Sequence, residues 1–401
     1  MNKLKAYKKY KPVDYDYVNE LPVDWQLLPN IAIFQERIER DFVDEELLSV
    51  TIRKGVIKQA DVDIKKDSSN EDKSKYKLIK VGDIAYNKMR MWQGALGYSQ
   101  YNGISSPAYV ILNPKMKINS KYFHFMFRTG FYTNYSKRIS YGIVDDQLSL
   151  RYKDFKRMYS IVPPLETQNT IVEYLDRKTK KTQEFISKKE RLIELLEERR
   201  KSEIITEINK ISNKIKLKYV LRIQNGDGIP SDLITSEGDF QVYGGNGVLG
   251  YYNSYNNDKE TLVIGRVGAL CGNVHYSVNK IWVNDNAMFA NTNNFYKYVY
   301  YVLKAVDLNK LSFANAQPLI TGTLVKNKYT NFTSDRNQQK KIVNNIEVKL
   351  STINNAITKA QTEIKKIKEY QESLITQVVT GDLKVPAERA GKPDLNMNGE
   401  L

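Results

Sequence analysis

The chain is poor in the residues that most often do chemistry. Its 401 residues include one cysteine, Cys271, and two histidines, His124 and His275. One cysteine excludes an intramolecular disulfide and any cysteine-rich zinc site. The two histidines stand far apart and form no His-Glu-x-x-His spacing, and no Gly-x-Ser-x-Gly nucleophile elbow occurs. A run of 18 apolar residues is also missing, and the basic start Met1-Asn2-Lys3-Leu4-Lys5 leads into no apolar stretch. The expectation is a cytoplasmic chain with neither secretion signal nor membrane span.

What is abundant is positive charge and tyrosine. Lys and Arg number 62 against 46 Asp and Glu, a formal charge of +16, and there are 28 tyrosines. The excess is spread along the chain, without a basic tail. It favours a polyanionic partner, nucleic acid before membrane surface. With 41% hydrophobic residues the chain can bury real cores, and its length suggests two to three domains.

The strongest pattern is an internal repeat. Residues 168–208 lie over 339–379 without a gap, with ten identities. These are Gln168/Gln339, Ile171/Ile342, Val172/Val343, Lys178/Lys349, Ile186/Ile357, Lys188/Lys359, Ile193/Ile364, Glu198/Glu369, Ser202/Ser373 and Ile204/Ile375. Both copies read as long helices. In the second, Ile342, Ile346, Leu350, Ile353, Ile357, Ala360, Ile364, Ile367, Gln371, Leu374 and Val378 alternate by fours and threes, a heptad seam. In the first, Ile171, Leu175, Ile186, Ile193 and Leu196 keep the seam, while Thr179, Thr182 and Lys189 weaken it. A helix of ~45 residues is roughly 68 Å long, too long for an ordinary globule. Antiparallel packing of the two helices on each other is the simplest expectation.

The segments between the helices have strand character. Runs such as Leu78-Ile79-Lys80-Val81 and Ala108-Tyr109-Val110-Ile111-Leu112 are broken by Gly, Asn, Pro and Ser. Residues 119–139 look more helical. The predicted order is an N-terminal arm at 1–19, a globule at 20–165, a long helix at 166–213, a globule at 214–334, a long helix at 335–382 and a frayed tail at 383–401. Pro163-Pro164 marks the first helix start, and Gly381-Asp382 the second helix end. The globules repeat loosely as well. Gly94-Ala95-Leu96-Gly97 matches Gly268-Ala269-Leu270-Cys271-Gly272, with Arg90 and Arg266 before them.

Three motifs hint at other chemistry, each weakly. Gly245-Asn246-Gly247-Val248-Leu249-Gly250 fits Gly-x-Gly-x-x-Gly, but the Tyr251-Tyr252-Asn253 that follows opens no helix for a pyrophosphate. A tight turn in a binding loop is the alternative. Glu347-Val348-Lys349 with Asp335 echoes a nuclease metal site, yet sits on the heptad helix. Ser106-Pro107-Ala108-Tyr109 faintly echoes the catalytic loop of adenine methyltransferases, without a glycine-rich loop for the methyl donor.

Residues suited to nucleic acid are better represented. Arg, Lys, Asn and Gln can make paired hydrogen bonds to base edges, and lysines around them can hold phosphates. The first globule offers Lys88, Arg90, Trp92, Gln93, Lys137, Arg138, Tyr141 and Gln147. The second offers Asn246, Arg266, Asn284, Asn286, Asn315 and Gln317. For any single one of these, a solvated surface role is the competing reading.

The run Pro163-Pro164-Leu165-Glu166-x-Gln168-x-x-Ile171, leading into a long helix, and the Tyr243-Gly244-Gly245-Asn246-Gly247 turn resemble the specificity subunit of type I restriction-modification enzymes. The resemblance covers about residues 20–385, in two halves. This chain departs in having Thr167 beside Gln168, and Thr333-Ser334-Asp335-Arg336 where a second double proline would stand.

The resemblance implies an α+β chain with two mixed α/β target-recognition domains in pseudo-two-fold arrangement. Two long helices separate them and form an antiparallel coiled coil. It implies no catalysis in this chain. Each domain would read half of a bipartite, asymmetric double-stranded DNA target, and the coiled coil would fix the gap, as readers on one DNA face favour ~34 Å. It implies two modification subunits carrying S-adenosylmethionine, docked on the helices. Two restriction subunits using ATP and Mg join them in the full complex. The alternatives are a self-contained adenine-specific DNA methyltransferase and a coiled-coil scaffold that does not touch DNA.

Overall fold

The computed structural model describes all residues except 1–3, 16, 63–71, 145–146, 269, 312–317 and 387–401. The chain divides into two compact units. Unit 1 is Met1–Ile186 with Ile364–Leu401, and unit 2 is Ser187–Glu363. Among the described residues no helix is long and apolar enough to cross a membrane.

Unit 1 is organised by a four-stranded antiparallel sheet. Its spatial order is Phe34–Arg37, Tyr109–Pro114, Ile84–Asn87, Leu96–Tyr98. Period-two alternation sends successive side chains to opposite faces. Ile84, Tyr86, Val110 and Leu112 enter the large core with the helix Ser120–Phe127. Ala85 and Ile111 face a smaller cluster with Leu48, Val50 and Val56 of the hairpin Leu48–Thr51/Gly55–Lys58.

Unit 2 repeats this plan. Its four-stranded antiparallel sheet runs Arg222–Asn225, Ala287–Asn291, Thr261–Gly265, Val274–Ser277. In both sheets the spatial order is first, fourth, second and third strand in sequence. Leu262 and Ile264 join the large core with the helix Tyr296–Val306, while Val263 faces a smaller cluster. Each unit also pairs the strand just before its long helix with an earlier one: Tyr159–Val162 with Gln26–Pro29, and Tyr329–Asn331 with Lys214–Lys216.

The long helices are Leu165–Asn209 and Arg336–Val379. In unit 1, Ile171 and Leu175 share a core with Leu374 and Val378, and Gln371 Nε2 donates to Thr179 Oγ1 at 3.3 Å. In unit 2, Ile204 and Ile208 pack with Ile342, Ile346, Leu350, Ile353 and Ile357. There Lys349 Nζ is 2.8 Å from both Glu203 and Glu207, and Lys189 Nζ is 2.6 Å from Glu363. Residue numbers rise on one helix as they fall on the other, so the packing within each unit is antiparallel. Ile186 is buried, whereas Ile193, Leu196, Ile364 and Ile367 are half-buried.

The identical glutamines of the repeat do identical work. Gln168 Oε1 accepts from the Asn119 N–H at 2.8 Å, and its Nε2 donates to the Pro163 carbonyl at 2.8 Å. Gln339 Oε1 accepts from the Phe295 N–H at 3.0 Å, and its Nε2 donates to the Thr333 carbonyl at 2.8 Å. Asn119 and Phe295 are the N-cap residues of the helices Ser120–Phe127 and Tyr296–Val306, whose first N–H groups lack intrahelical partners. Both glutamines are about 1% exposed. Each therefore ties a domain helix to the segment that opens the long helix. In the second copy Asp335 replaces the proline entry, its Oδ1 accepting from the Asn337 N–H at 2.8 Å as a helix cap.

Three boundaries differ from the sequence reading. Residues 4–15 and 17–19 do not stand off as an arm. Tyr10–Pro12 pairs with Glu20–Pro22, Tyr7 meets Trp25 edge-on, and Tyr15 and Tyr17 pack on the unit 1 core. Tyrosines carry enough apolar surface to hold such a segment down. The first long helix stops at Asn209 rather than 213, because Lys214–Lys216 is needed as a strand partner for Tyr329–Asn331. Of the expected tail, Leu383 and Val385 pack on the unit 1 core and Lys384 N–H donates to the Lys5 carbonyl at 2.7 Å; residues 387–401 lie outside the described residues.

His124 gives this fold a pH dependence. Its Nδ1 accepts from the Tyr98 N–H at 3.3 Å. Desolvation, with the Arg128 and Lys121 charges nearby, lowers its pKa from 6.5 to about 3. Between these values the unfolded chain binds a proton that the folded chain excludes, so stability falls as pH drops through that window. A ring titration by NMR is expected to show His124 neutral throughout the mildly acidic range. A midpoint near the ordinary value of about 6.5 would contradict the burial argument.

Candidate nucleic-acid interface

The histidines, the cysteine and the motifs that hinted at other chemistry do not assemble into one site among the described residues. His275 lies in unit 2 and His124 in unit 1, and burial with the Lys304 charge lowers the His275 pKa. Cys271 is buried. Among the described residues no group of His, Cys, Asp and Glu is arranged to hold a metal ion. In the nuclease-like trio, Lys349 is committed to Glu203 and Glu207, Glu347 pairs with Lys297, and Asp335 caps its helix. The Ser106-Pro107-Ala108-Tyr109 run is a turn into a strand: Ser106 Oγ accepts from the Ala108 N–H at 3.2 Å and Ser106 O from the Tyr109 N–H at 3.0 Å.

In unit 1 the predicted surface residues come together around one turn. The strand Ile84–Asn87 ends in Asn87, whose Oδ1 accepts from the Met89 N–H at 2.9 Å. A short 3-10 turn, Met91–Gln93, follows and is closed by Gly94 at φ 82°, a left-handed conformation that favours glycine. Met91 is buried as the anchor, which leaves Arg90 and Gln93 exposed on either side. Trp92 Nε1 donates to the Met89 carbonyl at 3.1 Å, and Lys137 Nζ lies 4.9 Å from the Trp92 ring centre. Tyr141 is 75% exposed, and the Arg151 guanidinium lies 5.9 Å from its ring centre. Lys88 lines a cavity with Arg151, and Gln147 is exposed close to Gly142. Arg138 is partly diverted from this surface: it lies over the rings of Tyr17 and Tyr135 at 5.1 and 5.7 Å.

In unit 2 a hairpin, Phe240–Gly244/Gly247–Tyr252, presents Asn246 at its turn. Gly247 has φ 106°, and Gly265 passes so close that a Cβ would lie 2.0 Å from the Gly245 carbonyl oxygen. The glycine-rich run therefore serves backbone packing and not a dinucleotide. Asn246 Oδ1 accepts from Asn273 Nδ2 at 3.0 Å. Arg266 N–H donates to the Asn286 carbonyl at 2.9 Å, and its Nη1 to the Asp285 carbonyl at 3.1 Å. Asn246, Arg266 and Asn286 thus belong to adjoining turns.

Asn284 does not belong with them as a reader. It is 5% exposed, and its Oδ1 accepts from the Asn286 N–H at 3.0 Å, so it shapes the turn that presents Asn286. Asn315 and Gln317 lie outside the described residues. Sequence reasoning missed Arg151, Lys153 and Lys156, which join Lys88 at one cavity. The basic run Arg151-Tyr152-Lys153-Asp154-Phe155-Lys156-Arg157 was the available signal.

Comparison with known proteins points in one direction. A family model for the type I restriction modification DNA specificity domain matches residues 209–369. The type I restriction enzyme EcoprrI specificity subunit of Escherichia coli is 31% identical over 132 residues, 32% of this chain and 31% of that protein. The match thus spans about a third of that relative's length. A chain from a structure described as the basis for complex assembly and conformational transition of the type I R-M system aligns with a TM-score of 0.70 at 13% identity. That alignment covers 90% of this chain and 99% of the other, and it establishes a shared fold.

Proposed function

The chain belongs to the specificity-subunit family of type I restriction-modification enzymes, and on that premise we propose that each of its two units reads one half of a split double-stranded DNA target. The observation that carries this is the duplication itself. The same strand order and the same glutamine tie occur twice, once with the turn bearing Arg90 and Gln93, once with the turns bearing Asn246, Arg266 and Asn286. Two copies of one scaffold with different side chains at the exposed turns suit two different base sequences, because base edges are told apart by donor and acceptor pattern. The long helices set the unspecified gap and dock two modification subunits. Exposed Leu192 and Leu195 on the first of them support such a docking face.

On this reading the chain contributes recognition and no catalysis. S-adenosylmethionine belongs to the modification subunits, and ATP and Mg to two restriction subunits of the full complex. Binding of duplex DNA by the assembled complex is expected to weaken steeply with salt, as phosphate contacts release counterions. Salt-insensitive binding or none would favour a scaffold, and methyl-donor binding by the isolated chain would favour a methyltransferase.

Arg266 supplies a sharper test. Its half-buried side chain reaches the Asp285 carbonyl across adjoining turns of unit 2. Arg266→Ala is expected to relax one base position of one half-site, by about 1–3 kcal/mol, and to leave the other half-site intact. Loss of discrimination at both half-sites would show that the residue holds up the fold instead.

A further inference from the structure

Unit 1 contains a cavity of about 600 Å³ whose charge is unbalanced. Lys88, Arg151, Lys153 and Lys156 line it, together with Lys77 and Glu36. Among the described residues Glu36 is the only carboxylate on the wall, and it is already taken: Lys77 Nζ lies 2.9 Å from Glu36 Oε1 and donates to the Tyr109 carbonyl at 2.9 Å. Among the described residues, none of the other four cations is in an ion pair. The frame beneath them is fixed. Lys88 N–H donates to the Ala108 carbonyl at 3.2 Å, Leu150 N–H to the Lys88 carbonyl at 2.9 Å, and Tyr152 Oη to the Phe34 carbonyl at 3.2 Å. Cations gathered on a rigid wall without counter-charge repel one another, and a bound anion relieves that cost. Lys88 shows the strain: burial first, then Lys77 and Arg151, lowers its pKa.

We infer that this cavity seats a phosphate group of the DNA backbone, held by Lys88, Arg151, Lys153 and Lys156. The inference rests on the DNA-reading function and deepens it. Lys88 stands one turn away from Arg90 and Gln93, so a phosphate gripped there fixes the register in which those two residues meet the bases. The grip itself carries no sequence information. The chemistry recognised is a phosphate oxyanion, which could also be supplied by free phosphate.

The test uses the full-length chain and two duplexes, one carrying the target and one without it. The triple variant Lys88→Gln/Lys153→Gln/Lys156→Gln is expected to bind both duplexes about tenfold more weakly. Its slope of log affinity against log salt is expected to be shallower by about one or more. The preferred bases stay the same. A charge-matched control, Lys359→Gln/Lys366→Gln/Lys368→Gln, separates a local grip from loss of net charge. The exposed Lys153→Gln alone, with a thermal melt beside it, guards against a folding defect. An unchanged slope in the triple variant overturns the inference, as does an equal loss in the control or a change of preferred bases. So does a melting shift with inorganic phosphate that depends on these lysines while the DNA slope does not; the cavity then takes a free anion. If the wild type itself binds duplex without salt dependence, the DNA-reading function fails and takes this inference with it.

Discussion

Removing one heptad from both long helices is expected to shorten the gap in the recognised DNA sequence and to leave both half-sites unchanged. Residues 187–193 and 357–363 are the pieces to remove. They face one another through the Lys189–Glu363 ion pair and lie outside both glutamine ties. Seven residues keep the heptad phase, so the remaining seam residues still meet. At 1.5 Å per residue the deletion takes out ~10 Å of helix. At 3.4 Å per base step that corresponds to a gap shorter by up to about three base pairs. Mapping of modified sites in cells carrying the deletion reads the result directly. Altered half-sites with an unaltered gap would mean that the helices do not set the spacing.

The second large effect concerns the glutamine ties. Gln339→Ala leaves the Phe295 N–H and the Thr333 carbonyl without their buried partner, and Gln168→Ala does the same to Asn119 and Pro163. An unmet buried polar group costs about 1–3 kcal/mol, so two of them amount to about 3 kcal/mol or more. For a unit of this size that lowers the melting temperature by roughly 6–10 °C. Hydrogen exchange localises it: Phe295 is expected to lose protection in Gln339→Ala, and Asn119 in Gln168→Ala. A shift below about 1 °C in both variants would mean that water replaces the side chain at little cost.

The ties also show what was legible in the sequence. The ten identities between the helices located the long helices within a few residues, because a heptad seam is a periodic signal over many turns. The glutamines stood out as identities, but the helix N-terminus each one meets lies 49 or 44 residues away, and no local pattern announces such a contact. The second helix, read to start at 335, starts at Arg336, where Asp335 does by capping what Pro164 does by ring geometry at the first. The first 19 residues read as an N-terminal arm, because the packing partners of their tyrosines, Trp25, Phe131 and Tyr135, come from elsewhere in the chain. Charge and amide content picked out the turns at Arg90, which is exposed, and at Arg266, which is half-buried beside the exposed Asn286. It could not separate Asn284, folded inward to brace a turn, from its exposed neighbour Asn286.

The most direct measurement is the genome-wide adenine methylation pattern of the source strain, with this gene intact and with it deleted. The account predicts one split motif, two short half-sites around a fixed gap, methylated in the intact strain and unmethylated in the deletion. A deletion that leaves every methylated motif in place, in a strain whose modification subunit is expressed, would contradict it.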